Sequence, residues 1–188
     1  MKKISLILML ALSAWTFGAC NNEAKDDSVE KAEEANEAKE STTTVKEDDS
    51  EFLVEAASGG MMEVEAGQLA ATKAQNPRVK AFASMMVEDH TKANEELKAL
   101  ASGKSITLPT AVGEDHQKHI TELREKSGMD FDKAYMKMMV DDHNDDVEDF
   151  QSASNNAKDE SVKAFAAKTL PVLRMHLDSA RAINDAIK

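Results

Sequence analysis

The sequence predicts an all-α protein: an up-down four-helix bundle with a short extra helix in its crossover. Three observations predict it. Apolar residues recur at a spacing of about 3.6 from residue 51 onward, and a period of two is nowhere sustained. Four long periodic stretches are separated by short joins rich in Asn, Pro, Gly and Asp. An internal echo aligns Phe82-Ala-Ser-Met-Met-Val-Glu-Asp-His90 with Tyr135-Met-Lys-Met-Met-Val-Asp-Asp-His143, and a second aligns Val79-Lys-Ala-Phe-Ala83 with Val162-Lys-Ala-Phe-Ala166. Helices that repeat in this way pack about a pseudo-twofold axis.

The chain opens with Lys2 and Lys3, then a run from Ile4 to Leu12 that is apolar except for Ser5. This is too short and wrongly flanked for a spanning helix, so residues 1–19 are expected to be a signal peptide. Phe17-Gly18-Ala19-Cys20 resembles the lipobox of bacterial lipoproteins, with Phe17 in place of the usual aliphatic residue. Cys20 is the only cysteine, so it has no internal disulfide partner and is expected to be the lipidated first residue of the mature chain. Acyl chains contribute ~0.8 kcal/mol per buried CH₂, enough together to hold a protein at a membrane without a spanning helix.

Residues 21–50 contain eleven acidic residues and four lysines, with only Ala and Val as apolar side chains. Such composition offsets little ordering entropy, so residues 20–50 are expected to be a disordered acidic linker, with a transient helix over 30–40. Lys25-Asp26-Asp27 resembles a signal that sends some lipoproteins to the cell surface. Asn21 after the cysteine is not the aspartate of inner-membrane retention. The expected location is therefore the cell envelope, at the outer membrane, with its periplasmic face favoured over the cell surface. The net charge of −12 becomes more negative once the two leader lysines are removed. Nucleic acid is accordingly excluded as a partner, which leaves the membrane, through Cys20, as the one expected contact.

Residues 51–188 are expected to form the bundle. The first helix should run from Glu51 to Gln75, with Phe52, Ala56, Gly59, Glu63, Gly67 and Ala70 in one stripe. Gly59-Gly60 within it marks a close helix–helix approach. Asn76-Pro77 starts the second helix, which reaches Ser102 with Val79, Phe82, Met86, His90, Ala93 and Leu97 facing inward. A connection over 103–113 leads to a short helix from Glu114 to Lys126, ended by Gly128. Asp130 is expected to cap a long helix to Asn156. Asp159 is expected to cap a last helix to Ile187, kinked at Pro171.

Four residues with metal-binding or acid–base chemistry fall on inner faces of different helices: Glu63, His90, His143 and His176. His143 shares its stripe with Met136, Met139, Val147 and Phe150. His176 shares one with Thr169, Val172, Leu173, Ala180 and Ile183. One carboxylate and three imidazoles converging in a bundle suit a single divalent ion such as Zn²⁺, Fe²⁺ or Mn²⁺, with Asp89 and Asp142 as outer partners. The same residues also suit a buried hydrogen-bond network that sets helix register. The oxygen-rich di-iron cage is excluded, because Val87, Val140 and Leu173 stand three residues before the histidines. The pairs Met61-Met62 and Met85-Met86 and the trio Met136, Met138 and Met139 suit thioether binding of Cu(I), or core filling. His116 and His119, three apart, suit a surface metal pair or plain exposure. No nucleophile motif, phosphate loop or dinucleotide fingerprint is present.

Glu51-Phe-Leu-Val-Glu-Ala-Ala, Gly60-Met-Met-Glu-Val-Glu-Ala-Gly-Gln-Leu-Ala70, Asn76-Pro-Arg-Val-Lys-Ala-Phe-Ala83, Met86-Val-Glu-Asp-His-Thr-Lys-Ala-Asn94, Phe131-Asp-Lys-Ala-Tyr135 and Ala166-Ala-Lys-Thr-Leu-Pro-Val-Leu-Arg-Met-His-Leu177 together resemble the bacterial DUF4142 family. That resemblance implies a ferritin-like four-helix bundle, often in the envelope, and brings no activity with it. The leading expectation is thus a non-catalytic envelope lipoprotein whose bundle is a structural or interaction module without a cofactor. The second expectation is a metal-binding or metal-storage protein using Glu63, His90, His143 and His176.

Overall fold

The computed structural model describes residues 27–39 and 45–188, so Cys20 and the leader lie outside the described residues. Six helices follow in order: α1 (Ser28–Glu37), α2 (Glu47–Lys73), α3 (Pro77–Gly103), α4 (Glu114–Glu125), α5 (Gly128–Asn156) and α6 (Glu160–Ala186). α2 packs chiefly on α3, and α5 on α6; α2 also meets α5, and α3 meets α6. The result is two antiparallel hairpins closed into a four-helix bundle. The segment 104–127, with α4, carries the chain back along the bundle between them. No described helix is long and apolar enough to cross a membrane.

The two hairpins are tied by matching hydrogen bonds. Asp132, in the first turns of α5, accepts from the backbone N–H of Gln75 at 3.0 Å and Asn76 at 2.7 Å, in the α2–α3 turn. Asp49, in the first turn of α2, accepts from Lys158 at 2.9 Å and Asp159 at 2.7 Å, in the α5–α6 turn. Each carboxylate therefore satisfies two N–H groups that a helix start leaves unpaired. Asn76 and Asp159 then cap α3 and α6 with their own side chains.

The core has two apolar ends. One is built from Met62, Phe82, Met86, Phe131, Tyr135, Met139 and their neighbours, covered by Ile120 and Leu123 of α4. The other is built from Leu53, Leu97, Phe150, Phe165, Leu173 and their neighbours. Met62, Met86, Met136 and Met139 are wholly buried in the first cluster, so these methionines fill space between helices rather than forming a thioether cradle. Glycines let α2 approach α3. A Cβ at Gly67 would lie 2.9 Å from Val87 Cγ2 and 3.2 Å from the Ala83 carbonyl oxygen, and one at Gly60 would strike the Asn94 side chain.

Several expectations are corrected. Residues 28–37 and 47–50, assigned from the sequence to an unstructured linker, are helical. α1 buries only Ala32 and Asn36, so it carries almost no apolar signal. Polar bonds dock it instead: Asn36 donates to the Thr107 carbonyl at 2.9 Å and accepts from the Thr107 N–H at 2.7 Å. Ser28 accepts from the Thr110 N–H at 2.9 Å, and Asp27 accepts from the Glu114 N–H at 3.1 Å. With α1 and α4 on its outer side, α2 buries Leu53 and Val54 fully while Phe52 is only half-buried. Gly128 does not end α4; with φ +59 it begins α5, and Ser127 rather than Asp130 holds the cap position. Val172, expected in the inward stripe of α6, is exposed.

Candidate metal centre

A polar layer separates the two apolar clusters. Glu63 comes from α2, His90 from α3, His143 from α5 and His176 from α6, and all four are buried. Each sits at a helical spacing from core residues: His90 lies four after Met86, His143 four after Met139, and His176 three after Leu173. The 3.6 period therefore turns each ring to the bundle axis.

The three rings converge. His90 Nε2 lies 3.3 Å from His176 Nδ1, and His143 Nε2 lies 3.4 Å from the same atom. One nitrogen from each ring falls within 4.8 Å of the others. Tetrahedral coordination with metal–nitrogen bonds of about 2.0–2.1 Å places ligand nitrogens about 3.3–3.4 Å apart. The two measured separations match that edge. The outer nitrogens point away from the common centre. His90 Nδ1 meets Glu63 Oε2 at 2.5 Å, and His176 Nε2 meets Asp89 Oδ2 at 2.9 Å. A carboxylate behind a ligating imidazole fixes its tautomer and orientation. Glu63 thus stands behind the rings rather than among the converging nitrogens, and Asp89 stands behind His176. The third ring differs. His143 Nδ1 is 3.3 Å from Glu63 Oε1, the His143 ring hydrogen-bonds to the Met139 backbone one turn back, and the Glu63 carboxyl hydrogen-bonds to Asp142.

Burial governs the electrostatics. It lowers the imidazolium pKa of His90 to about 4, that of His143 well below the ordinary value and that of His176 more modestly. Burial also raises Glu63 well above the usual carboxylate range. Asp142 and Asp146 rise too, through burial and the neighbouring Glu63. Without a cation, the layer is neutral imidazoles beside proton-holding carboxyls. Glu63 Oε2, the His90 ring, the His176 ring and Asp89 Oδ2 form one unbroken chain of contacts whose donor roles follow the histidine tautomers. A cation held by the three converging nitrogens would require each of them to be free of its proton.

Asp142, expected as an outer partner, lies beside Glu63 and His143 in a second group of candidate ligands that includes Asp146. Asp146 was not singled out from the sequence. It sits in the run Asp141-Asp142-His143-Asn144-Asp145-Asp146, where Asp141 and Asp145 are exposed. Its one signal is position, four after Asp142 and three after His143, on the same face. His116 turns inward: its Nδ1 lies 2.8 Å from Ser58 Oγ, which accepts the Gly113 N–H at 3.0 Å. His119 stays exposed, so the two do not form a shared site.

Comparison with known proteins agrees with the architecture. A DUF305 fragment from Deinococcus radiodurans is similar over 76% of this chain and 98% of its own, with TM-score 0.67 and 9% identity. CopM in the Cu(II)-bound form is similar over 74% of this chain and 97% of its own, with TM-score 0.64 and 14% identity. These likenesses establish a ferritin-like helical-bundle fold. No curated protein matches the chain. The family description "Domain of unknown function (DUF4142)" matches residues 34–183, and the chain belongs to that family.

Proposed function

We propose that this protein is a membrane-tethered, non-catalytic metal-binding bundle. His90, His143 and His176 supply three nitrogen ligands to one divalent transition-metal ion. Three imidazoles suit zinc or copper better than a hard cation. The observation that carries this is the convergence of one nitrogen per ring within 4.8 Å, two of the three separations being 3.3 and 3.4 Å, with carboxylates behind two of the rings. A purely structural network accounts for the chain from Glu63 to Asp89, but His176 Nδ1 then faces ring nitrogens of both His90 and His143 with a single lone pair to offer. CopM is described as Cu(II)-bound; that likeness concerns the fold, and the metal assignment rests on the three nitrogens of this chain.

Lipidation of Cys20 gives the bundle its place at the envelope membrane, and the acidic stretch after it sets the reach. Two experiments test the proposal. Metal-stripped protein is titrated with Cu²⁺ and Zn²⁺ beside the His90→Ala/His176→Ala variant. Tight binding by the first and its loss in the second is expected; equal uptake ends the assignment. Fractionation of cells carrying Cys20→Ala should find the protein released from membranes, and unchanged membrane association would refute the anchor.

A further inference from the structure

The third ring leads further. His143 is fully buried, and its Nδ1 lies 3.3 Å from Glu63 Oε1. The Glu63 and Asp142 carboxyls hydrogen-bond to each other, and no other donor reaches Glu63 Oε1 or Asp142 Oδ2. One carboxylate oxygen each from Glu63, Asp142 and Asp146, with a ring nitrogen of His143, lie within 4.8 Å of one another. A carboxyl pair whose neighbours are one another, a further carboxylate and a histidine ring is unusual inside a bundle, because buried polar groups otherwise find donors. No lysine or arginine forms an ion pair with Glu63, Asp142 or Asp146 among the described residues.

We propose that Glu63, Asp142, Asp146 and His143 Nδ1 form a second divalent-cation position, joined to the three-histidine position by the His143 ring. This deepens the proposed function and rests on it for the first ion. When both positions are filled, His143 binds one cation through each nitrogen, and its remaining ring proton passes to solvent. Charge supports the pairing. Two divalent cations bring four positive charges, and three carboxylates with one imidazolate supply four negative ones. A single ion at the histidines would leave the three clustered carboxylates without a cation of their own.

Space and access are present. A cavity of about 20 Å³ touches Glu63, His90 and Asp146, room for about one water-sized occupant. On the opposite side a surface cavity of about 440 Å³ is lined by His119, Asp141, Asp142 and Asp145. Asp142 belongs to both this cavity and the buried group, so acidic side chains lead from solvent to the layer and concentrate cations on the way.

Cu²⁺ alone serves as the probe on the full chain, read by electron paramagnetic resonance and bound-metal analysis. The wild type should take two equivalents, the second reducing the signal because two copper ions couple through a shared imidazolate. Asp142→Asn/Asp146→Asn should take one equivalent with full signal intensity. Saturation of the wild type at one equivalent overturns the second position while leaving the first intact. Two equivalents with an undiminished, additive signal overturn the bridge, and a second equivalent retained by the Asn variant places that ion elsewhere. Should the variant not fold, by circular dichroism, the wild-type stoichiometry and signal decide alone. The three-nitrogen assignment fails by a different result: His90→Ala/His176→Ala keeping the first equivalent.

Discussion

Two sets of buried carboxylates lie in this bundle, and they are treated in opposite ways. Asp49 and Asp132, at the ends, are 4% and 0% exposed, and each receives two backbone N–H groups from the turn of the other hairpin. Glu63, Asp142 and Asp146, at the middle, receive no backbone N–H among the described residues. They face one another and His143, and Glu63 also meets His90 Nδ1 at 2.5 Å. The backbone supplies the partners at the ends and none of them at the centre. Helix starts offer spare N–H groups, and mid-helix backbone offers none, so a carboxylate placed at mid-bundle must be completed by side chains, protons or an ion. The ends therefore tie the hairpins by backbone bonds, and the middle depends on its side chains and their protons.

Removing an end clamp should have the largest effect. Asp132→Ala leaves the Gln75 and Asn76 N–H groups without their acceptor and is expected to cost about 3 kcal/mol, measured by urea denaturation. A loss under about 1 kcal/mol would place the hairpin tie elsewhere. The middle should respond to metal instead. With free Zn²⁺ at a hundred times its dissociation constant, the folded state gains about 2.7 kcal/mol. The wild type and Asp132→Ala should both gain it, and His90→Ala/His176→Ala should not. If Asp132→Ala lost the gain, ends and centre would be one cooperative unit rather than two separate devices.

The same contrast explains how much was legible in the sequence. Inward placement of His90, His143 and His176 follows from a period of 3.6 through Met86, Met139 and Leu173, and packing leaves a buried ring little choice of direction. Three of the five predicted helices lie within two residues of their predicted bounds, because Asn76-Pro77, Gly113 and Asp159 punctuate them, and a fourth is capped by Ser127, three residues before the expected Asp130. The first of the five begins four residues before its expected start, at Glu47. α1 was assigned to an acidic linker because hydrogen bonds from Asp27, Ser28 and Asn36 hold it, and such bonds leave no periodic apolar trace. Asp49 and Asp132 were invisible for a similar reason: an acid early in a helix looks like ordinary charge until the turn it reaches is known. Asp146 was hidden in a run of acids, and only tertiary packing tells its buried carboxylate from the solvated ones beside it.

A smaller effect should separate the central carboxylates from the clamps. Asp146→Asn keeps the shape of the side chain and removes its charge. In metal-free protein at neutral pH it is expected to raise stability, by on the order of 1 kcal/mol, the equivalent of one pKa unit, because a half-buried carboxylate beside Glu63 and Asp142 is held against like charge. The same change at Asp49 should lower stability, since it replaces an acceptor of two N–H groups with an amide. Chemical denaturation of the two variants side by side checks the contrast in sign. A loss of stability in Asp146→Asn would make that residue a structural clamp too.

The smallest effect lies in the caps, where the two hairpins differ by one charge. Asn76 caps α3 by accepting the Arg78 N–H at 2.8 Å. Asp159 caps α6 by accepting from Ser161 at 2.9 Å and Val162 at 3.2 Å, and it pairs with Lys104 at 2.6 Å. Burial pushes the Asp159 carboxyl up, but the Lys104 ammonium and the two N–H groups outweigh it and leave the pKa below the ordinary value. A carboxyl whose pKa is depressed by folding stabilises the fold above its unfolded value of about 3.9, and that contribution is lost as the pH falls through the lower folded value. Asp159→Asn keeps a cap acceptor and removes the charge, so the α6 hairpin becomes like the α3 hairpin. The wild type should exceed the variant by less than about 1 kcal/mol at neutral pH, the range of an ion pair near the surface. The difference should close only below pH of about 4. Denaturation midpoints across that range decide it: a gap that persists in acid would mean that the carboxylate acts through shape and hydrogen bonding alone, as Asn76 does, and that its charge contributes nothing to the tie between the hairpins.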